Sequence, residues 1–500
     1  MLRAGLSASV CLAALLGGAG GAWAQDAALT ATTASTDAGP ATTGALPLRG
    51  TLPTDLGTTG NTSARGTAAT GLDTFSGDLD AAGDDLLTPA TPAAAPVTNA
   101  AATTIVPETG IPARRRSVDR EAADDAFAPV GVRVGTFTLR PAIEVGVTAS
   151  DNPDGGPDKN PALGAVIAPE ATLQSNWSRH SLQIDAKGSD TQFKDKSLDE
   201  READVDVKGR IDVSHDTKVN LGASYHYGLQ SYTSPDTPSG ATERPAVHTL
   251  TGQAGVDQTL GRFGIEAAGS VQREIHEDVS LADGSKADLA REDNNAYEGR
   301  LRGSYEISPA LKPYVEVAVG TRSYDRATDE DGYRRSSVWG DLRGGIIADF
   351  GPKLSGELAA GYHHEHFDDD RLADIDAPTA SAAILWSPRR LTIVKLGLST
   401  EFRPTTLEGS SESIVYGGTL SVVRSIRHDL NVEAGIGYSE EHFEGVDRTD
   451  RTFTGYATVA YNLNRDVALI GRYEYENTRS DEPSSTGDSN TVTVRVRLQR

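Results

Sequence analysis

The side chains best suited to chemistry gather in a few short runs. His363-His364-Glu365-His366, followed by Asp368-Asp369-Asp370, is the densest set of metal-ligand types in the chain. Imidazole and carboxylate together suit a divalent cation. Alternation along a strand, however, sends His364 and His366 to one face and His363 and Glu365 to the other. A regular strand cannot close all four around one ion, so the run is expected at a loop tip, as a solvated polar rim. Asp329-Glu330-Asp331-Gly332 has some of the acidic spacing of a calcium loop, but Ala327 stands where the first ligand belongs. Ser224 and His226 share one strand face, with no third partner evident for a nucleophilic triad. G-x-S-x-G, H-E-x-x-H and phosphate-binding glycine motifs are missing from the sequence. The expectation is a chain that is not an enzyme, with no catalytic residue, no metal ligand set and no cofactor.

A second set of polar residues is more regular. Asp204, Asp206, Lys208, Arg210 and Asp212 alternate with Ala203, Val205, Val207, Gly209, Ile211 and Val213. Glu298, Arg300, Arg302 and Glu306 oppose Tyr297, Leu301, Tyr305 and Ile307. Arg472 and Glu474, then Arg495 and Arg497, repeat the pattern near the C-terminus, the latter pair against Val492, Val494, Val496 and Leu498. An Arg or Lys facing lipid at mid-depth costs about 2–4 kcal/mol. The charged phase is therefore expected to face water inside a wall whose apolar phase faces hydrocarbon. The predicted pore-lining set is Asp204, Asp206, Lys208, Arg210, Asp212, Glu298, Arg300, Arg302, Arg472, Glu474, Arg495 and Arg497.

Period-two alternation means strands. Further examples are 219–229 and 430–438. The connections fall into two classes. Tight ones include Ser178-Arg179-His180, His215-Asp216-Thr217, Leu260-Gly261-Arg262, Ser387-Pro388-Arg389 and Asn464-Arg465-Asp466. Longer, acidic or Gly/Pro-rich ones include 150–161, 231–243, 277–291, 327–332, 444–449 and 480–488. Counting between them gives about eighteen strands, of the length and even number that outer-membrane barrels use. Soluble sandwich strands run to only about 5–6 residues. A soluble barrel of so many strands would enclose more space than side chains can fill. The predicted fold is therefore all-β, a closed antiparallel transmembrane β-barrel over 131–500. Aromatic girdles are expected, with Tyr225, Tyr227, Tyr305, Tyr324, Phe367, Tyr438, Phe443, Tyr473 and Tyr475 toward the long loops, and Trp177, Phe350 and Trp386 near the tight turns.

The N-terminal part reads differently. Arg3, the apolar run Val10–Leu16 and Ala22-Trp23-Ala24 predict a signal peptide over 1–24, cleaved before Gln25. Residues 25–130 are rich in Ala, Thr, Gly and Pro, poor in aromatics, and predict a disordered periplasmic linker. The only cysteine, Cys11, and the only methionine, Met1, fall in the predicted signal, so the exported chain would lack disulfides. Across the 500 residues the net charge is −24, which argues against nucleic acid as a partner.

Gly135-Thr136-Phe137-Thr138-Leu139-Arg140-Pro141, Glu144-Val145-Gly146-Val147 and Asp151-Asn152 resemble the opening strand of the "Putative beta-barrel porin 2" family. Ser175-Asn176-Trp177-Ser178-Arg179-His180-Ser181-Leu182 is similar to its first periplasmic turn, and Pro245-Ala246-Val247-His248-Thr249 to a later element. The resemblance covers Val132 to Arg500. It implies an outer-membrane barrel of a Gram-negative bacterium, some relatives being associated with extracellular polysaccharide. One departure is the C-terminus, Leu498-Gln499-Arg500, where many such barrels end in an aromatic residue read by the insertion machinery. The expected function is a water-filled pore for small polar solutes; the alternative is a barrel serving polysaccharide export or surface binding. Expected partners are outer-membrane lipid and lipopolysaccharide, small polar solutes or polysaccharide, and the barrel-assembly machinery, with no nucleic acid.

Overall fold

The computed structural model describes residues 127–500, apart from Tyr232. The predicted signal peptide and nearly all of the predicted linker lie outside the described residues. Eighteen long strands follow in chain order. They are β1 (Phe137–Ser150), β2 (Ala162–Ser175), β3 (Ser181–Phe193), β4 (Glu200–Asp212), β5 (Thr217–Leu229) and β6 (Ala246–Leu260). Next come β7 (Phe263–His276), β8 (Asn294–Tyr305), β9 (Leu311–Tyr324), β10 (Ser337–Asp349), β11 (Leu354–Phe367) and β12 (Ile375–Arg389). The last are β13 (Thr392–Pro404), β14 (Glu412–Arg427), β15 (Leu430–Phe443), β16 (Thr449–Asn462), β17 (Val467–Ser480) and β18 (Gly487–Gln499). Each pairs antiparallel with the next, and a short strand at Val132–Val134 pairs with the start of β1.

Closure comes from β18 pairing with β1, in a register running from Ala142↔Gln499 to Ser150↔Thr491. Every strand then has two neighbours, which is what lets backbone sit in hydrocarbon without orphaned polar groups. The motif Asp151-Asn152 fastens this seam at the long-loop end. Asp151 accepts from the Asn490 amide at 2.7 Å, and buried Asn152 donates to the Asp488 carbonyl at 2.9 Å. Lys159 bridges Asp151 and Asp488 at 2.8 Å to each.

Connections alternate as expected. Two-residue turns such as 261–262 and 428–429 lie at one end, together with both ends of the barrel domain. The long loops 151–161, 230–245, 277–293 and 325–336 lie at the other. One expected tight turn moves: Ser387-Pro388-Arg389 belongs to the end of β12, where a register shift separates Trp386 from Arg389, and the turn falls at 390–391.

The outer face is apolar. Val145, Val147, Leu163, Leu301, Val315, Val317, Val319, Leu342, Ile436 and Val494 are exposed. Outward charges gather mostly at the long-loop ends, as in Arg201–Asp190, Arg273–Asp325 and Arg451–Glu440, while Arg424 lies near a tight turn and donates to Thr392. The girdle is only partly as expected. Trp177, Phe350 and Trp386 are exposed beside tight turns, and Tyr438 and Tyr473 face outward. Tyr305, by contrast, ends β8 at the tight-turn end, where it packs on Phe263. Phe367 and Phe443 are buried, on the inward phase of their strands.

In one sector the wall overlaps itself. β12 pairs with β13 only from Ala382↔Leu398 toward the tight turn. Above that point β12 keeps β11 and β13 keeps β14, but the two part. The Thr400 hydroxyl accepts from the Ala380 amide in place of a ladder bond. Pro378, lacking an N–H, lies on this unpaired edge, where proline costs least. The upper parts of β13 and β14 tuck inside β11 and β12. Their outer-phase residues Phe402 and Ile414 then bury against Phe367, Leu372, Ile375 and Ala377.

Candidate functional site: the lumen and its mouth

Side chains from strands two or more apart can meet only on the concave face. Tyr314 of β9 donates to Glu357 of β11, and Arg302 of β8 lies 3.4 Å from the same carboxylate. The phase opposite the exposed apolar residues therefore points inward. Asp204, Asp206, Lys208, Arg210 and Asp212 oppose exposed Ile211; Glu298, Arg300 and Arg302 oppose Tyr297 and Leu301. Arg472 and Glu474 oppose Tyr473, and Arg495 and Arg497 oppose Val494 and Val496. All twelve thus share the lumen face.

They join separate networks. On one side Arg300 binds Glu266 at 2.8 Å, and Arg302 binds Glu316 at 2.8 Å while lying 3.8 Å over the Tyr314 ring. Tyr314 needs a bare neighbour to lie flat: a Cβ at Gly345 would come within 2.4 Å of its ring. Across the seam Glu144 takes Arg495 at 3.1 Å and Arg497 at 3.0 Å, and Glu170 takes Arg497 at 2.9 Å. Nearby, Arg472 holds Glu474 at 2.8 Å and covers the Tyr456 ring at 4.4 Å. Arg495 Nε and Nη2 are buried without a hydrogen-bond partner among the described residues. In a low-dielectric wall such donors are expensive unless solvent or solute meets them.

The carboxylates Glu144, Glu170, Glu266, Glu316 and Glu357 belong to the inner face but were outside the predicted set. The signal that could have found them is register: each sits across the strand pairing from, or near, a predicted arginine. Alternation within one strand does not supply that pairing.

The long-loop mouth is crossed. Loop 230–245 reaches the β13–β14 turn on the far side, where Asp236 accepts from Thr405 Oγ1 at 2.8 Å and from the Thr406 amide at 2.6 Å. Ser485 donates to the Thr233 carbonyl at 3.0 Å. Arg335, from loop 325–336, donates to the carbonyls of Thr405 and Ser410 at 2.6 Å each and to Leu407 at 3.1 Å, while pairing with Asp329. A cavity of about 370 Å³ remains between loop 230–245, Leu407, Arg448 and Glu482. Loop 277–293 backs the crossing loop through the Thr242 amide to the Ser280 carbonyl, at 2.9 Å. In that loop, burial pushes the Glu292 carboxyl up to about 8 against the pull of His276.

The motif residues resolve as follows. The histidine run lies not at a loop tip but in the last turns of β11, because pairing with β10 and β12 extends through it. His363 and Glu365 point inward, where His363 stacks on Phe402 at 3.7 Å and binds Asp341 at 3.1 Å. His364 and His366 face outward and bind Asp376 at 2.9 Å and Asp374 at 2.8 Å. Asp329 is spent on Arg335 and the Tyr333 amide, which leaves no calcium cradle there. His226 does have a carboxylate partner, Asp204 at 2.7 Å, missed in the sequence because it lies on the neighbouring strand. Its Nε2 lies beside Gly228 rather than toward Ser224, so the three do not form a triad.

Among solved structures the chain is similar to OccK3 of Pseudomonas aeruginosa, at 12% identity, TM-score 0.37, covering 72% of this chain and 95% of that one. It is also similar to OccAB3 of Acinetobacter baumannii, at 10% identity, TM-score 0.38, covering 73% and 100%. A third is the siderophore receptor PirA of Acinetobacter baumannii, at 7% identity, TM-score 0.38, covering 72% and 80%. No curated protein matches. The family model described as "Putative beta-barrel porin 2" matches residues 125–500, which takes in the whole wall, its seam and its mouth, and the chain belongs to that family of porin-like outer-membrane barrels.

Proposed function

We propose that the barrel is a narrow outer-membrane channel for small polar solutes, exported by a signal peptide over residues 1–24. The observation that carries the reading is the lumen face itself. Charges of both signs line it on opposite sides, around Arg300 and Arg302 and around Arg472, Arg495 and Arg497, and they are largely ion-paired. Such a face costs desolvation in a dry interior and little beside water. It favours solutes that can exchange hydrogen bonds with fixed guanidinium and carboxylate groups. Loop 230–245 bars a straight route for a polymer, which favours small solutes over polysaccharide export. Lipid and lipopolysaccharide would meet the outward belt, with the paired charges at the long-loop ends level with the headgroups.

Liposome swelling with the refolded chain tests this. Uptake of monosaccharides and small amino acids should fall steeply with solute size, and oligosaccharides should be excluded. Liposomes that admit none of these solutes would refute the channel.

A further inference from the structure

A metal-capable grouping lies on the lumen face of β4 and β5, away from the histidine run. Glu202, Asp204 and His226 each offer one ligand atom, and these atoms lie within 4.8 Å of one another. Asp204 and His226 are register partners across the two strands, and Glu202 is two residues from Asp204 on the same face. The Asp204 carboxylate engages His226 Nδ1 at 2.7 Å. That bond favours the tautomer with the proton on Nδ1 and makes Asp204 the residue that orients the ring, leaving the Nε2 lone pair free to bind a metal.

Two atoms at this place lack partners. His226 Nε2 and Glu202 Oε1 are both buried with no hydrogen-bond partner among the described residues. Space is kept for what they would bind. A Cβ on Gly228 would come within 3.0 Å of His226 Nε2. Asp206 continues the row of carboxylates along β4, and Lys187 is the register partner of Asp204 on β3.

We propose that His226, through Nε2, and Glu202 bind a divalent first-row transition metal inside the lumen, with Asp204 holding the imidazole from Nδ1. Imidazole with a carboxylate suits Zn²⁺, Co²⁺ or Ni²⁺, whereas Ca²⁺ and Mg²⁺ prefer all-oxygen shells. Two protein ligands leave positions for water, so the ion exchanges. The site does not depend on conduction, because binding is measured on the closed barrel.

The test is Co²⁺ titration of the untagged full-length chain refolded in detergent micelles, followed by visible absorption, with far-UV circular dichroism as the folding control. One Co²⁺ per chain should bind, be displaced by Zn²⁺ and resist excess Ca²⁺. His226→Gln should abolish the band, and Asp204→Asn should weaken binding on the order of 10–100-fold. Gly228→Ala keeps every ligand but fills the space, and should weaken binding comparably. A double His364→Gln, His366→Gln variant should bind as wild type does. Absence of stoichiometric binding, an unchanged titration in His226→Gln or Gly228→Ala, or loss of the band in the double variant would overturn the site.

Discussion

The wall between β4 and β9 and the wall between β11 and β14 are written in the same alternating pattern but use it for different solvents. In the first, outward residues such as Leu221, Leu301 and Val317 remain exposed, with hydrocarbon as their medium. In the second, Phe402 and Ile414 keep the outward phase yet are buried against the inner face of the strands beside them. Apolar alternation fixes which side of a strand is oily, not what the oil touches. Ladder bonds decide that, and the β12–β13 ladder stops at Ala382↔Leu398. The overlap then holds the β13–β14 turn under the mouth, where Arg335 and Asp236 fasten it.

The largest difference between the sectors should come from Arg335→Ala. It leaves Asp329 buried without its counter-charge and releases three carbonyls, at a cost of about 3–5 kcal/mol. Hydrogen exchange should rise in 405–411 and stay unchanged in β4–β8; equal protection in wild type and variant would dissolve the claim that this arginine pins the turn. Phe402→Ala should lower stability by about 3–5 kcal/mol in urea unfolding, in micelle and bilayer alike, because the ring packs on protein. Val317→Arg should behave oppositely, costing about 2–4 kcal/mol in a bilayer. In micelles, which deform around charge, it should cost much less, and an equal cost in both media would mean Val317 does not face lipid.

The smallest effect concerns pH. Glu292 is raised from an ordinary value of 4.5 to about 8, chiefly by burial, with Asp236, Glu274 and Asp293 adding to the rise and His276 opposing it. A raised folded value means that its contribution is complete below about 4.5 and is lost as pH rises through about 8. Exchange within 277–293, corrected for intrinsic rate, should therefore quicken between pH 6 and pH 9. The change should vanish in Glu292→Gln.

These contrasts also mark what the sequence could carry. Strand phase, the closed fold, the division into tight and long connections and the inward side of all twelve charged positions were legible, because each depends on neighbours along the chain. The overlap was not, because Thr392–Pro404 alternates without interruption through the point where pairing ends. One trace of it was present: Phe367, Ile375 and Ala377 put apolar residues on the lumen phase, where water has no use for them. The Asp204–His226 contact and the Glu144–Arg495–Arg497 group were hidden for a related reason. Their members come from different strands, separated in the last case by most of the domain, and only register brings them together.

The central claim is that an aqueous path runs inside this wall and is narrowed by loop 230–245 and the tucked strands beneath it. Single-channel recording in planar bilayers tests it most directly, comparing wild type with Asp236→Ala, which removes the clasp on Thr405 and Thr406. The account predicts small discrete steps for wild type, and larger or longer-lived openings for the variant at unchanged barrel content. Silence from both proteins, each shown to be inserted and folded, would contradict it.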